Sequence, residues 1–254
     1  MRNDFAKDGR VVIVTGGGMG LGAEITKAFA QRGHSVLIAG RTPGPLEEVA
    51  AEHESVATMV ADVSEEGTGE ALVAAALERW GRLDVVVNNA ARLIPGPLQA
   101  LTRDQLSEAF ETNFFGPFEV SKAAIEPLTS SRGAIVNISS TFGHRPVADF
   151  GAYAASKAAL EQLTRCWAIE MAPKGVRINS VAPGPTETGS LERESDLSAD
   201  SVRELKRREA ETIPVGRRGN PSEVVRWVLA FADPEATWIT GQVLSVDGGY
   251  ELVR

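Results

Sequence analysis

Two residues four positions apart could act together as an acid and a base. Tyr153 and Lys157 lie in the stretch Ala152–Met171, whose apolar residues recur at helical spacing, so both side chains would share one helix face. A phenol has a reference pKa of about 10, and a neighbouring ammonium lowers that pKa by stabilising the phenolate. The pair therefore suits proton transfer to a carbonyl oxygen that is being reduced. The alternative is a chance pair on a solvated helix, but the only other tyrosine is Tyr250, far along the chain.

A serine lies where a strand should end. Ser140 follows the apolar run Ala134–Ile138 and precedes Tyr153 by thirteen residues. Ligands of open parallel sheets bind at the carboxyl ends of the strands, so this hydroxyl could hydrogen-bond a substrate oxygen. Side chains alternate along a strand, so Ser139 and Ser140 cannot both point at one ligand. Physical reasoning alone leaves the choice between them open.

The segment Thr15–Gly22 is rich in glycine and lies between an apolar run and a helical pattern. Glycines at such a turn let the main chain approach a pyrophosphate closely, and the helix that follows presents its free N–H groups to the anion. The alternative is a flexible connection with no ligand. Its position between a strand and a helix favours a nucleotide site.

These residues need elements that bring them together, and the sequence provides a regular series. Short β-branched runs alternate with longer amphipathic stretches, a pattern typical of a parallel sheet covered by helices on both faces. The predicted strands are Val11–Val14, Val36–Ala39, Val56–Ala61, Leu83–Val87, Ala134–Ile138, Arg177–Val181 and Gln242–Val246. The predicted helices are Ala23–Arg32, Gly69–Trp80, Arg103–Thr129, Ala152–Met171 and Pro221–Phe231, with Thr102 as an N-cap. We therefore predict an α/β fold with a doubly wound sheet of seven parallel strands.

No linker rich in proline, glycine and serine divides residues 1–254, so we expect a single domain. One stretch interrupts the alternation. Residues 189–212 are polar, rich in glutamate and without a predicted strand. An insertion of this length in a compact fold is usually a lid or a binding loop, and we predict a substrate-binding lid.

The motifs, taken together and in order, resemble the short-chain dehydrogenase/reductase family, the compact single-domain branch of the Rossmann-type enzymes. The resemblance covers almost the whole chain. Its marks are T-G-x-x-x-G-x-G at Thr15–Gly22, Asp62-Val63, Asn88-Asn89-Ala90-Ala91, Asn113, Ile138-Ser139-Ser140, Tyr153-x-x-x-Lys157, Pro183-Gly184 and Val246-Asp247-Gly248-Gly249. One departure is Ala91, where the family usually has glycine.

The resemblance implies a role for each matching residue. Tyr153 would be the proton donor or acceptor, Ser140 would bond the substrate oxygen, and Lys157 would hold the nicotinamide ribose and lower the pKa of Tyr153. Asn113 would anchor a water relay to Lys157. The implied cofactor-binding residues are Gly16, Gly18, Met19, Gly20, Leu21, Gly22, Arg41, Thr42, Asp62, Val63, Asn89, Ala90, Ala91, Tyr153, Lys157, Pro183, Gly184, Thr186 and Thr188. The expected substrate wall comprises Ile94, Ser140, Phe142, Phe150 and Pro185.

The end of the second strand bears on the choice of nicotinamide cofactor. An NAD enzyme of this fold usually has a carboxylate there, which bonds the ribose hydroxyls and repels a 2′-phosphate. Here that position is Gly40, followed by Arg41 and Thr42, which could bond a 2′-phosphate. Met19 counts against NADP(H), since many NADP-dependent relatives have a basic residue at that position. We predict a preference for NADP(H), with NAD(H) possible.

Composition excludes several function classes. The net charge of -8 argues against nucleic acid as a partner, and a hydrophobic share of 43% with no long apolar run argues for a protein that does not enter membranes. A cytoplasmic location is the expectation, because there is no segment typical of a signal peptide. The three histidines show no metal-binding spacing, so no metal is predicted. Cys166, the single cysteine, is expected to be a buried and inert thiol.

The predicted activity is NADP(H)-dependent interconversion of a small-molecule ketone and a secondary alcohol. The alternatives are an NAD(H)-dependent alcohol dehydrogenase of the same family and a Rossmann protein that senses a nucleotide without turnover. Two of the predicted helices, Arg103–Thr129 and Ala152–Met171, carry apolar residues on more than one face. A helix that covers a sheet needs only one apolar stripe, so a second stripe predicts self-association, and we expect a homotetramer.

Overall fold

The sheet forms from seven short strands whose residues are mostly β-branched and buried. In the computed structural model, which describes residues 9–189 and 198–253, all neighbouring strands are parallel, in the order β3-β2-β1-β4-β5-β6-β7. The strands are β1 Val11–Thr15, β2 Ser35–Gly40, β3 Val56–Val60, β4 Val85–Asn88, β5 Ala134–Ile138, β6 Arg177–Pro183 and β7 Val243–Val246. This confirms the predicted fold class, with each strand within two residues of its predicted bounds.

The helices connect successive strands. They are α1 Gly20–Ala30, α2 Pro43–Ala51, α3 Thr68–Trp80, α4 Arg103–Phe110, α5 Gly116–Ser131, α6 Gly151–Met171, α7 Ala199–Thr212 and α8 Pro221–Ala232. Thr102 caps α4, as predicted, and Asn220 caps α8 in the same reciprocal manner with Glu223. Helix α2 was not predicted, because the sequence Pro-Gly-Pro at its start is typical of a turn. No helix in residues 9–189 and 198–253 is long and apolar enough to cross a membrane.

The long predicted helix Arg103–Thr129 is two helices rather than one. A π-helical turn over Glu111–Phe115 joins α4 to α5. Such a turn contains one residue more than the α-helix would need, and π-helical turns occur often at functional sites. Here it contains Asn113, which is fully buried.

Two apolar layers enclose the sheet. Successive residues of β1 point to opposite faces: Val12 and Val14 belong to one cluster, Val11 and Ile13 to the other. Helices α1 and α8 cover the first face, and α3, α5 and α6 cover the second. The sheet is therefore buried on both sides, and the carboxyl ends of its strands are the place left for a ligand.

The predicted lid falls only partly within the described residues. Residues 190–197 lie outside them, and most of the remainder of the predicted segment forms α7. Ser198 is the N-cap of this helix, since its hydroxyl accepts a hydrogen bond from the Ser201 N–H at 3.2 Å. The predicted absence of a strand holds for residues 198–212.

Candidate active site

A cleft of about 460 Å³ opens at the carboxyl ends of the strands. It lies where the strand order reverses, between β1 and β4, which is the usual ligand site of a doubly wound sheet. All residues predicted to bind a cofactor line this cleft. They come from the glycine-rich turn, the ends of β2, β3 and β4, the start of α6 and the loop after β6.

The glycine-rich turn is packed too tightly for side chains. A Cβ atom on Gly22 would lie 2.0 Å from the main-chain oxygen of Gly16, and Gly16 itself has a φ of +65°. Helix α1 begins at Gly20 without a side-chain cap on its first N–H groups and without an acidic residue in its first turn. This helix start is therefore suited to hold a pyrophosphate.

A second set of hydrogen bonds fixes the turn against β4. The Thr15 hydroxyl accepts from the N–H groups of Asn89 and Ala90 at 3.0 and 3.1 Å, and the Asn89 amide donates to the main-chain oxygens of Thr15 and Gly16 at 3.0 and 3.1 Å. The resemblance implied that Asn89 would bind the cofactor. Its side chain in addition sets the spacing between the two strand ends that frame the cleft.

The end of the cleft beside β2 has a cation and no carboxylate on that strand. Arg41 Nη1 lies 3.8 Å from Asp62 Oδ2, and the Arg41 side chain is largely exposed. Burial opposes ionisation of Asp62, but hydrogen bonds from Ser64 and the charges of Arg41 and Arg92 outweigh it and lower the pKa of this carboxyl. Thr42 precedes α2 and its hydroxyl makes no capping bond to that helix. Arg41 and Thr42 therefore both face the cleft with groups able to bind an anion.

The opposite end contains the predicted acid–base pair. Helix α6 brings the Lys157 Nζ to 5.8 Å from the centre of the Tyr153 ring, and the Lys157 ammonium donates to the main-chain oxygen of Ile138 at 2.8 Å. Burial lowers the pKa of Lys157 to about 8, and the negative charge of Glu161 partly opposes this. The Tyr153 ring packs edge-on against Phe142. Lys157 is buried and Tyr153 is half-buried, and both line the wall of the cleft.

The two serines at the end of β5 have different partners. The Ser139 hydroxyl donates to Glu161 Oε1 at 2.7 Å, whereas the Ser140 oxygen accepts from the Phe142 N–H at 3.2 Å. Because Ser140 accepts that bond, its own O–H remains able to donate to a substrate oxygen. Side-chain direction therefore favours Ser140 for the role that the resemblance implied.

Asn113 does not line the cleft. Its amide bonds the main chain of Arg92 in both directions, at 2.7 and 3.0 Å, and donates to the Ser156 hydroxyl at 2.9 Å. Ser156 in turn donates to the main-chain oxygen of Tyr153 at 2.8 Å. In this structure Asn113 therefore joins the π-helical turn to the start of α6. The water relay to Lys157 stays a prediction.

The expected substrate wall needs a correction. Ser140, Phe142 and Pro185 line the cleft, but Ile94 and Phe150 do not. Ile94 is buried in a small apolar cluster beneath α4, and Phe150 packs behind Phe142 with ring centres 5.4 Å apart. Both were predicted from their places along the chain, which do not determine the direction of a side chain. The cleft residues that the sequence analysis missed include Leu93, Thr141, Glu209 and Arg218.

One other expectation has a clear outcome. Cys166 is exposed, so its predicted burial was wrong: it lies on the outer face of α6. His144 does not line the cleft and contacts two carboxylates, Glu161 and Glu251. Among the described residues there is no group of histidine, cysteine and carboxylate side chains arranged to hold a metal ion.

Comparisons with known proteins agree with this architecture. Residues 16–251 match a family model described as enoyl-(acyl carrier protein) reductase. The chain is 36% identical to an uncharacterised oxidoreductase of Mycobacterium tuberculosis, over 96% of this chain and 93% of that protein. It is 35% identical to L-fucose dehydrogenase of Bos taurus (96% and 90%) and 32% identical to a 3-oxoacyl-[acyl-carrier-protein] reductase of Thermotoga maritima (95% and 98%). A crystal structure of a short-chain dehydrogenase/reductase of unknown function from Caenorhabditis elegans, determined with cofactor, superposes with a TM-score of 0.90 at 33% identity, covering 97% of this chain and 96% of that one.

Proposed function

The chain belongs to the short-chain dehydrogenase/reductase family and is an oxidoreductase acting on CH–OH groups; on this premise we propose that it interconverts a ketone and a secondary alcohol with NADP(H). The observation that carries the proposal is the arrangement of Tyr153, Lys157 and Ser140 on one wall of the cleft whose other end is the glycine-rich turn. A protein that only binds a nucleotide has no need of the whole set of Tyr153, Lys157 and Ser140 together.

When bound, the nicotinamide supplies or accepts the hydride. The residues of this chain would handle the proton. Ser140 donates a hydrogen bond to the substrate carbonyl, and Tyr153 transfers its hydroxyl proton to that oxygen during reduction. The ammonium of Lys157 stabilises the phenolate that Tyr153 then becomes. In the oxidative direction the same groups act in reverse, with Tyr153 as the base.

Cofactor choice is proposed from the β2 end of the cleft. Gly40 provides no carboxylate to bond a ribose or to repel a phosphate, and Arg41 and Thr42 provide a cation and a hydroxyl. These features support NADP(H) over NAD(H). The neighbouring Asp62 counts against NADP(H), because its carboxylate lies 3.8 Å from Arg41 and would compete with a 2′-phosphate for that guanidinium.

Helix α7 is proposed to cover the substrate end of the cleft. It contributes Glu209 to the lining, and Glu209 pairs with the buried guanidinium of Arg218. Arg218 Nε lies 2.8 Å from Glu187 Oε1, and Lys206 of α7 contacts the same glutamate at 2.5 Å. These ion pairs join α7 to the loop after β6. These pairs support the predicted lid only for α7, which is the part of the lid segment that the structure describes as a helix.

The experiment that tests the proposed function offers NADPH and a panel of ketones that ranges from sugars to acyl thioesters. We expect NADPH to be consumed with at least one class of ketone and the alcohol to appear in equal amount. Tight NADPH binding with no turnover across the panel would instead favour the nucleotide-sensing alternative. Consumption of NADH at a rate equal to that of NADPH would favour the NAD(H) alternative. The cytoplasmic location stays a prediction.

We further propose a homotetramer, and predict a solution mass well above the 27.0 kDa of one chain. The outer face of α4 to α6 leaves apolar side chains in water: Phe115 is 44% exposed and Ile169 78%. Light scattering should report a multiple of the chain mass, and Ile169→Glu should lower it. Leu98→Glu is the control, because Leu98 is exposed but lies outside these helices. A mass of one chain for the fully active protein would contradict the prediction.

A further inference from the structure

We propose that Glu161 is a positioning residue for the reaction, acting through Lys157 on its own helix and through the strand end that carries Ser140. The inference rests on the proposed function for the roles of Tyr153, Lys157 and Ser140. It adds a residue to which nothing in the motif set assigns a role.

Glu161 is a carboxylate enclosed by protein. It lies one helical turn after Lys157 on α6, and its side chain is 3% exposed. Its oxygens accept from the Ser139 hydroxyl at 2.7 Å and lie 3.2 and 3.3 Å from His144 Nδ1. Burying a carboxylate is unfavourable unless hydrogen bonds or an opposite charge compensate. Lys157, one turn earlier on the same helix, is a cation on which the charge of Glu161 acts.

The carboxylate fits a space that the chain leaves for it. A Cβ atom on Gly143 would lie 2.6 Å from Glu161 Oε1, so a side chain at that position would displace the carboxylate. Gly143 ends the short turn Thr141–Gly143 that Ser140 begins. Glu161 therefore contacts the polypeptide on both sides of Ser140, at Ser139 through a hydrogen bond and at Gly143 through packing.

A histidine bridge holds this carboxylate from the far side. The His144 Nε2 contacts Glu251 and lies 3.2 Å from the Ser245 hydroxyl, while Nδ1 faces Glu161. Arg145, the next residue, stacks over Tyr250 with its guanidinium carbon 4.1 Å from the ring centre. The turn Tyr250–Leu252 is thus joined to α6 through His144.

The electrostatic consequence concerns Lys157. Burial lowers the pKa of Lys157 to about 8, and Glu161 is the charge that opposes this effect. Without that charge the lysine would lose its proton at a lower pH. A neutral lysine no longer stabilises the Tyr153 phenolate, so the pKa of Tyr153 would rise. In the described residues, the titratable groups that lie near Lys157 are Tyr153 and Glu161. His144 contacts Glu161, and Glu251 lies beyond His144.

The chain allows a direct test because Tyr153 and Tyr250 are its only tyrosines. Ultraviolet titration of phenolate in the NADP⁺-bound protein reports Tyr153 without any substrate, and Tyr153→Phe identifies its share of the signal. We expect Glu161→Gln, which keeps the shape and removes the charge, to move the Tyr153 midpoint to higher pH by about one unit, a tenfold change in the ionisation equilibrium. Where an alcohol substrate is in hand, the midpoint of the kcat profile for oxidation should move in the same direction.

Matched variants separate this role from a structural one. Glu170→Gln removes an exposed carboxylate from the same helix and should leave the midpoint unchanged. Glu161→Asp keeps the charge and should restore much of the wild-type value. Should Glu161→Gln fail to fold, His144→Gln removes one bond to the carboxylate and should shift the midpoint the same way by less. The inference is overturned if the midpoint of a folded Glu161→Gln protein is unchanged. If Glu161→Gln does not fold, an unchanged midpoint in His144→Gln overturns it. A shifted midpoint without turnover on any ketone would instead leave it standing and count against the proposed function.

Discussion

Replacing Tyr153 with phenylalanine is expected to remove nearly all turnover while NADPH remains bound. The phenyl ring fills the same volume and keeps its edge-on contact with Phe142, and Lys157 keeps its bond to the Ile138 oxygen. Only the hydroxyl that we propose as the proton donor is lost, and a positioned acid or base typically contributes a factor of about 10² to 10⁴ to the rate. We therefore expect kcat to fall by that factor, measured with a ketone identified from the panel, and the NADPH Kd to change little.

The second tyrosine provides the control. Tyr250 is buried beneath Arg145 at a site outside the cleft, and phenylalanine would retain that stacking. Tyr250→Phe should therefore keep the wild-type kcat. A Tyr153→Phe enzyme that turned over at the wild-type rate would show that another group delivers the proton.

The second large effect concerns the cofactor. Arg41→Ala removes a cation from the β2 end of the cleft and leaves the rest of the nucleotide site in place. A hydrogen bond to a charged group contributes about 1.5–3 kcal/mol, so we expect the KM for NADPH to rise roughly 10- to 100-fold. The KM for NADH should change by less than threefold or so, because NADH has no 2′-phosphate for Arg41 to bind. Equal changes for both cofactors would favour an NAD(H) enzyme.

A reciprocal variant sharpens the comparison. A Cβ atom on Gly40 would lie 3.4 Å from a methyl group of Leu46, which is ordinary contact, so Gly40→Asp can be accommodated. The new carboxylate should bond the ribose hydroxyls of NADH and repel the phosphate of NADPH. Steady-state kinetics with both cofactors should therefore show Gly40→Asp shifting the preference toward NADH, and more strongly when combined with Arg41→Ala.

The fold could be predicted because it depends on patterns that the sequence repeats. The strands are short, mostly apolar runs, those in the middle of the sheet are buried on both faces, and most of the helices show a helical period of apolar residues, so the alternation alone indicates a parallel sheet. The exceptions have local causes. Pro43 and Pro45 conceal α2, and the π-helical turn leaves the apolar pattern of Arg103–Thr129 almost unaltered.

The candidate site was predictable only in part. Motifs place residues along the chain, and the sheet then brings the strand ends together, so the residues expected to bind a cofactor meet at one cleft. Side-chain direction is set by packing that no motif contains. For that reason Ile94 and Phe150 were misplaced, and Arg218 was missed, since it reaches the cleft through contacts with Glu187 and Glu209.

Because of the π-helical turn, the segment between Arg103 and Ser131 needs a fixed number of residues as well as a suitable composition. Deleting one residue from Glu111–Phe115 would restore regular α-helical hydrogen bonding and so favour the isolated helix. The same deletion would rotate α4 against α5 by about 100° about their common axis and carry Asn113 away from Ser156. Local regularity and a complete site are therefore opposed in this segment, which should accept many substitutions but no change in the number of its residues.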